Sequence, residues 1–130
     1  ILEEFQEKFG FTYLFISHDL SMVRHISDNV GVMYLGSLVE YAPVEELYQH
    51  MLHPYTKSLM SAVPAADPKE NRSSKRIVLS GEVPSPLHPP KGCPFWTRCQ
   101  ECMEKCAEER PKLKDVGGGH LVACHKCQKS

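Results

Sequence analysis

A chain of 130 residues with 42% hydrophobic and 24% charged residues has the composition of a soluble globular protein, not of a disordered or collagen-like one. Its 15 Lys and Arg against 16 Asp and Glu leave a net charge of −1. That excludes nucleic-acid binding driven by global charge, because no excess of cations is there to displace counterions. No apolar run approaches the ~20 residues of a membrane-spanning helix, and no signal-peptide pattern opens the chain.

The first nine residues, ILEEFQEKF, read as the middle of a helix, so the chain is expected to be a portion of something longer. Ile1, Leu2, Phe5 and Phe9 follow helical spacing, and Gly10 is the expected left-handed stop. Phe11 to Ser17 (FTYLFIS) is rich in aromatic and β-branched residues and predicts a strand buried on both faces in a parallel sheet. His18 and Asp19 stand at its carboxyl end. Asp19 or Ser21 can cap a short helix through about Ile26. Val30 to Leu35 and Ser37 to Tyr41 predict two strands joined at Gly36. Pro43 opens a helix with Glu45 and Glu46 in its first turn, which suits the helix dipole. A second helix is expected from Pro54 through Met60.

Residues 65–76 (AADPKENRSSKR) hold no large apolar side chain and read as a linker or exposed loop. A short strand is expected over Ile77 to Leu79. Gly81 to Gly92 is Pro-rich and cannot be helical. Glu101 to Lys114 alternates acids and lysines as a solvated helix face does, and Gly117 to Gly119 predicts a turn. The two halves differ in charge: residues 1–60 hold three basic and eight acidic side chains, a net of −5, and residues 61–130 hold twelve and eight, a net of +4. All six cysteines lie between Cys93 and Cys127.

In α/β sheets, ligands sit beyond the carboxyl ends of the strands. An imidazole at position 18 could donate to a phosphate oxygen or orient an attacking water; a capping or surface histidine fits the same pattern. The cysteines admit three explanations. Disulfides need an oxidising compartment, to which nothing in the chain points. Zinc has a pattern in its favour: Cys99-x2-Cys102 and Cys124-x2-Cys127 are two pairs separated by 21 residues, able to close a tetrahedral site. Four thiolates also suffice for an iron–sulfur cluster. His120 and His125 could serve as ligands, and Phe95 and Trp96 could pack over such a site.

FTYLFISHDLSMVRHISDNVGVMYLGSLVEYAP strongly resembles the region of the switch histidine in the ATP-binding subunits of ABC transporters. LHPYTKSLMSAVP and GEVPSPLHPPKGCPFWTRC resemble the C-terminal extension of one subgroup, the ATP-binding subunits of oligopeptide and dipeptide importers. The resemblance covers nearly the whole chain. It implies an α/β fold, here an α+β fragment: the C-terminal part of a P-loop nucleotide-binding domain with a Cys-rich, loop-rich extension. The corresponding division is 1–64 for the end of the nucleotide-binding domain, 65–76 for a linker and 77–130 for the extension. It implies that His18 senses the γ-phosphate of ATP, with Mg2+, in the intact subunit. It points to Cys93, Cys99, Cys106 and Cys124 as holders of a [4Fe–4S] cluster, against the zinc set Cys99, Cys102, Cys124 and Cys127. Expected partners are a second ATP-binding subunit, identical or paralogous, the membrane permease subunits and, indirectly, an extracytoplasmic peptide-binding protein; no nucleic acid is expected. The expected location is peripheral, on the cytoplasmic face of the cell membrane.

The phosphate-binding run G-x-x-x-x-G-K-[ST] does not occur in the 130 residues, nor do the family's signature and acidic Walker B strand. The segment alone is therefore expected neither to bind ATP tightly nor to hydrolyse it. Two readings of other classes stand beside this one: a stand-alone zinc-binding interaction module, and a redox protein using Cys99-x2-Cys102.

Overall fold

The computed structural model describes residues 1–17, 19–62, 77, 79 and 81–128. Helix α1 (Leu2–Phe9) ends at Gly10 with φ 67°, whose N–H donates to Gln6 O, the left-handed stop that the sequence predicts. Helix α2 (Leu20–Ile26) starts at Asp19, whose carboxylate accepts from Met22 N–H at 3.1 Å. Strands β1 (Asn29–Tyr34) and β2 (Ser37–Pro43) form the expected hairpin. Its turn residues Leu35 and Gly36 both have positive φ, 48° and 75°, the backbone that matches a two-residue turn to strand twist. Helix α3 (Val44–Gln49) follows Pro43, and α4 (Pro54–Ser61) opens on Pro54 with His53 as its cap. Later come a 3-10 turn (Trp96–Arg98), helix α5 (Glu104–Glu108) and the short strands β3 (Lys114–Asp115) and β4 (Leu121–Val122).

The strands form one antiparallel sheet in the order β1-β2-β4-β3. Strand β1 alternates outward and inward, burying Val30, Val32 and Tyr34. A bulge after Val32 pairs Val32 with Glu40 and Met33 with Leu38. The extra residue lets β2 bury two successive side chains, Val39 and Glu40, which strict alternation forbids. Leu47 of α3 and Phe95 of the tail close the core, and Cys93 and Cys106 belong to the same cluster. Phe95 is 1% exposed and meets Tyr34 edge to face, ring centres 5.1 Å apart. A tail poor in large apolar residues thus completes the core of the hairpin and helices before it, and its strand β4 pairs with β2.

Four expectations need correction or placing. Phe11 to Ser17 is no strand: it pairs with no described strand, and Leu14 and Ile16 are 94% and 90% exposed. A buried parallel strand needs neighbours on both edges and both faces, and among the described residues none lies beside it. The sheet that does form is antiparallel, so the described part is the small α+β fragment that the sequence leads one to expect. The helix expected through Glu101 to Lys114 is confined to Glu104–Glu108, because Pro111 excludes the residue before it from helical backbone. Ile77 and Leu79 belong to no strand, and the linker 65–76 lies outside the described residues.

Candidate functional site

His18 itself lies outside the described residues; its neighbours are described. Ser17 Oγ accepts from Asp19 N–H at 3.0 Å, and Asp19 caps α2. The junction between the extended segment and α2 is thus tied by two side-chain bonds around position 18.

The cysteines are placed by two backbone constraints. Gly92 has φ 83°, and a Cβ there would stand 2.3 Å from Cys106 O, so only glycine fits. Cys93 N–H then donates to that same Cys106 carbonyl at 2.8 Å, joining the Cys93 loop to α5. The turn that ends in Cys127 N–H donating to Cys124 O brings in the last pair. As a result Cys93, Cys99, Cys106 and Cys124 all line one narrow cavity, roofed by Phe95 and Trp96, with room for about one water.

Cys102 and Cys127 do not line it, although the Cys102 thiol meets the Cys106 side chain and the Cys127 thiol meets that of Cys124. Cys102 is exposed and its thiol donates to Met103 O; the Cys127 thiol lies against Leu52 O. Of the two sets read from the sequence, Cys93/Cys99/Cys106/Cys124 shares a cavity and Cys99/Cys102/Cys124/Cys127 does not. Among the described residues no three His, Cys, Asp or Glu side chains already stand together as a ligand shell. To bind a four-thiolate centre the four thiols would have to draw inward and the cavity would have to open.

The electrostatics of the thiols differ. Burial raises Cys93, and raises Cys99 to about 11. Cys124 is lowered to about 6, first by the Cys127 thiol that donates to it and then by the N–H groups of Cys127 and Lys126. Cys127 is raised by the same bond.

The sequence reading missed a buried polar cluster beside this cavity. Glu40 is fully buried in β2. One carboxylate oxygen accepts from Leu52 N–H at 2.8 Å and the other from His53 N–H at 3.0 Å. His120, 2% exposed, sets Nε2 2.6 Å from Glu40 Oε1 and Nδ1 3.3 Å from Glu46 Oε1. Glu46 is held below the usual carboxylate range by His50 and then by His120. His120 is therefore no free ligand, and His125 sets its Nε2 against Glu109 O. His53 is engaged as well, since its Nδ1 accepts from Tyr55 N–H and caps α4. Burial pushes it down to about 4, against an opposing pull from Glu40, so the ring is neutral and free to accept. A glutamate among inward-facing strand residues (SLVEYA) was the available signal.

The family described as the oligopeptide/dipeptide transporter, C-terminal region, matches residues 39–106. The chain is 52% identical over 125 residues to the putative oligopeptide transport ATP-binding protein YkfD of Bacillus subtilis, covering 96% of this chain and 38% of the relative. It is 54% identical over 125 residues to the oligopeptide transport ATP-binding protein AppF of the same organism, with the same coverage. It is 48% identical over 124 residues to the dipeptide transport ATP-binding protein DppF of Haemophilus influenzae, covering 95% of this chain and 37% of the relative. The chain thus spans little more than a third of the length of these curated relatives. Among the described residues no helix is long and apolar enough to cross a membrane.

Proposed function

Because the chain belongs to the oligopeptide/dipeptide transporter family through its C-terminal region, we propose that it is the C-terminal portion of the ATP-binding subunit of a peptide importer. The observation that carries this reading is the identity of about half, over 96% of the chain, to proteins named for that role. The subunit would sit peripherally at the cytoplasmic face of the membrane. It would pair with a second ATP-binding subunit, identical or paralogous, and with permease subunits served by an extracytoplasmic peptide-binding protein. Lacking the phosphate-binding loop, signature and Walker B residues, residues 1–130 would not hydrolyse ATP by themselves.

In the intact subunit His18 would donate to a γ-phosphate oxygen and hold the attacking water in line, a role of positioning and charge stabilisation. Asp19 and Ser17, bonded as described, would keep the residue between them at the start of α2. ATP with Mg2+ supplies the transferable phosphoryl group and the cation that neutralises it. The test is His18→Ala in the full-length subunit. ATP binding should persist while turnover falls by about 10²–10⁴-fold, the usual worth of a positioned acid–base group; normal turnover would remove His18 from the mechanism.

Cys93, Cys99, Cys106 and Cys124 would hold a [4Fe–4S] cluster, whose bonds would tie the 3-10 turn, α5 and the last turn of the chain together. Their shared cavity supports this set. Anaerobically purified subunit should be brown, with iron and sulfide lost on Cys106→Ser and kept on Cys102→Ser. A colourless protein with one zinc that is lost on Cys102→Ser would transfer the assignment to Cys99, Cys102, Cys124 and Cys127.

A further inference from the structure

Strand β4 is flanked on both sides: Val122 pairs with Glu40 of β2 and with Lys114 of β3. Two strands that share one neighbour stand about 9.6 Å apart, twice the strand spacing. Strand β4 has only two residues. One further bond, Ala123 N–H to Val39 O at 2.8 Å, continues its line. The chain then leaves the sheet into the Cys124–Cys127 turn. Its two neighbours run on without it: Ser37, Leu38 and Val39 on one side, Arg110 to Leu113 on the other.

Between them lies a groove of about 510 Å³, floored by Pro94 and Ala123. Gln128 already sets its side-chain amide between Lys112 O and Val122 O, a side chain serving carbonyls where a strand would otherwise continue. The segment that forms the far wall alternates. Pro111 is buried and Leu113 half-buried, while Arg110, Lys112 and Lys114 are exposed. Nearby carboxylates are engaged elsewhere: Glu109 with Lys105, and Asp115 with Gly117 N–H. Among the described residues neither Arg110 nor Lys112 has a carboxylate partner; Arg110 reaches across the groove to Ser37 Oγ.

We propose that this groove receives an extended acidic segment of a partner protein, laid in the line of β4 between β2 and the Arg110–Leu113 segment. Three features select that occupant. The place is one strand wide, which suits extended backbone and not a helix. Beyond Val39, whose carbonyl Ala123 N–H takes, the Ser37–Leu38 end of β2 runs on without β4 beside it and offers main-chain pairing, the basis of strand addition. The apolar floor would take alternate apolar side chains, and the cations on the rim would meet carboxylates. A lipid surface has no such segment to enter a concave slot. Pro111 also lines the thiol cavity, so the two sites share a wall, but this proposal does not depend on a cluster or on ATP.

The test is fluorescence anisotropy on the intact subunit with a labelled octapeptide of alternating Glu and Val, against the same peptide with Lys for Glu. The acidic peptide should bind at least tenfold more tightly, and Arg110→Ala/Lys112→Ala should weaken it at least tenfold. Leu38→Glu, which sets a like charge on the opposite wall, should do the same. Lys8→Ala, which removes a cation on α1 away from the groove, should change nothing. Unfolding midpoints of all variants, unchanged from the parent, keep loss of binding separate from loss of fold. No saturable binding, equal affinity for the two peptides, or unchanged affinity in both groove variants would overturn the proposal. So would self-association of the subunit, or binding to anionic phosphatidylserine vesicles, abolished by the same substitutions in place of peptide binding.

Discussion

His120 and Glu40 are eighty residues apart in sequence, and their side chains meet at 2.6 Å in the interior. The pair joins the tail to the β1–β2 hairpin, with Glu40 also holding the Leu52 and His53 N–H groups in front of α4. One carboxylate thus sets the start of α4 and the seat of the β3–β4 turn together.

Removing both partners should cost less than the sum of removing each. His120→Ala would leave Glu40 buried without its neighbour and should destabilise by about 3–5 kcal/mol. The Glu40→Ala/His120→Ala double variant should fall short of the sum of the singles by about 1–3 kcal/mol. Urea unfolding of the four members of this cycle is the measurement; additive losses would mean that the contact carries no coupling.

His53 makes stability fall in mild acid. Its folded value of about 4 lies below the ordinary 6.5 because burial disfavours the charged ring. Between those values the unfolded chain binds the proton and the folded one does not. The contribution is therefore complete above about pH 6.5 and is lost as pH falls towards 4, by at most about 1.4 kcal/mol per pH unit. His53→Asn keeps an acceptor for the α4 cap and removes the titration. Its unfolding free energy should vary less steeply between pH 6.5 and 4 than that of the parent; identical slopes would assign the acid sensitivity elsewhere.

Gly92→Ala should be costly where Gly118→Ala is cheap, although both glycines have positive φ. At Gly118 a methyl group meets open space, whereas at Gly92 it would press into the Cys106 carbonyl at 2.3 Å. Left-handed backbone alone costs about 1–2 kcal/mol, and the clash adds about 1–3 kcal/mol more. Unfolding midpoints of the two variants, measured together, should separate in that order. Equal midpoints would show that the Cys93 loop and α5 move apart without penalty.

Phe95→Ala should lose about 3–5 kcal/mol, the cost of emptying a fully buried aromatic site. Phe95→Leu should lose less than half of that. Because Phe95 packs on Tyr34 and Tyr55, near-ultraviolet circular dichroism should report the loosened tyrosines. An unchanged tyrosine signal in Phe95→Ala would place the ring outside the shared core.

Local signals are legible where the deciding residues are neighbours in sequence. Gly10 ends α1, Asp19 caps α2, Gly36 turns the hairpin, and Pro43 and Pro54 open α3 and α4, each through backbone chemistry confined to a few residues. Phe11 to Ser17 misleads because an apolar run states a preference for burial and not what lies beside it. Glu40 escapes notice because its burial follows from a bulge, a matter of register between two strands.

By itself the sequence determined the caps, turns and breakers, the cysteine spacings and a family resemblance that the comparisons bear out, because each is written in residues close along the chain. Only the tertiary structure decided which four thiols share a cavity, that His120 is buried against Glu40, and that β4 stops short between two longer neighbours. Those outcomes depend on how segments far apart in sequence pack, and packing is settled by volume, register and hydrogen-bond satisfaction across the whole fold.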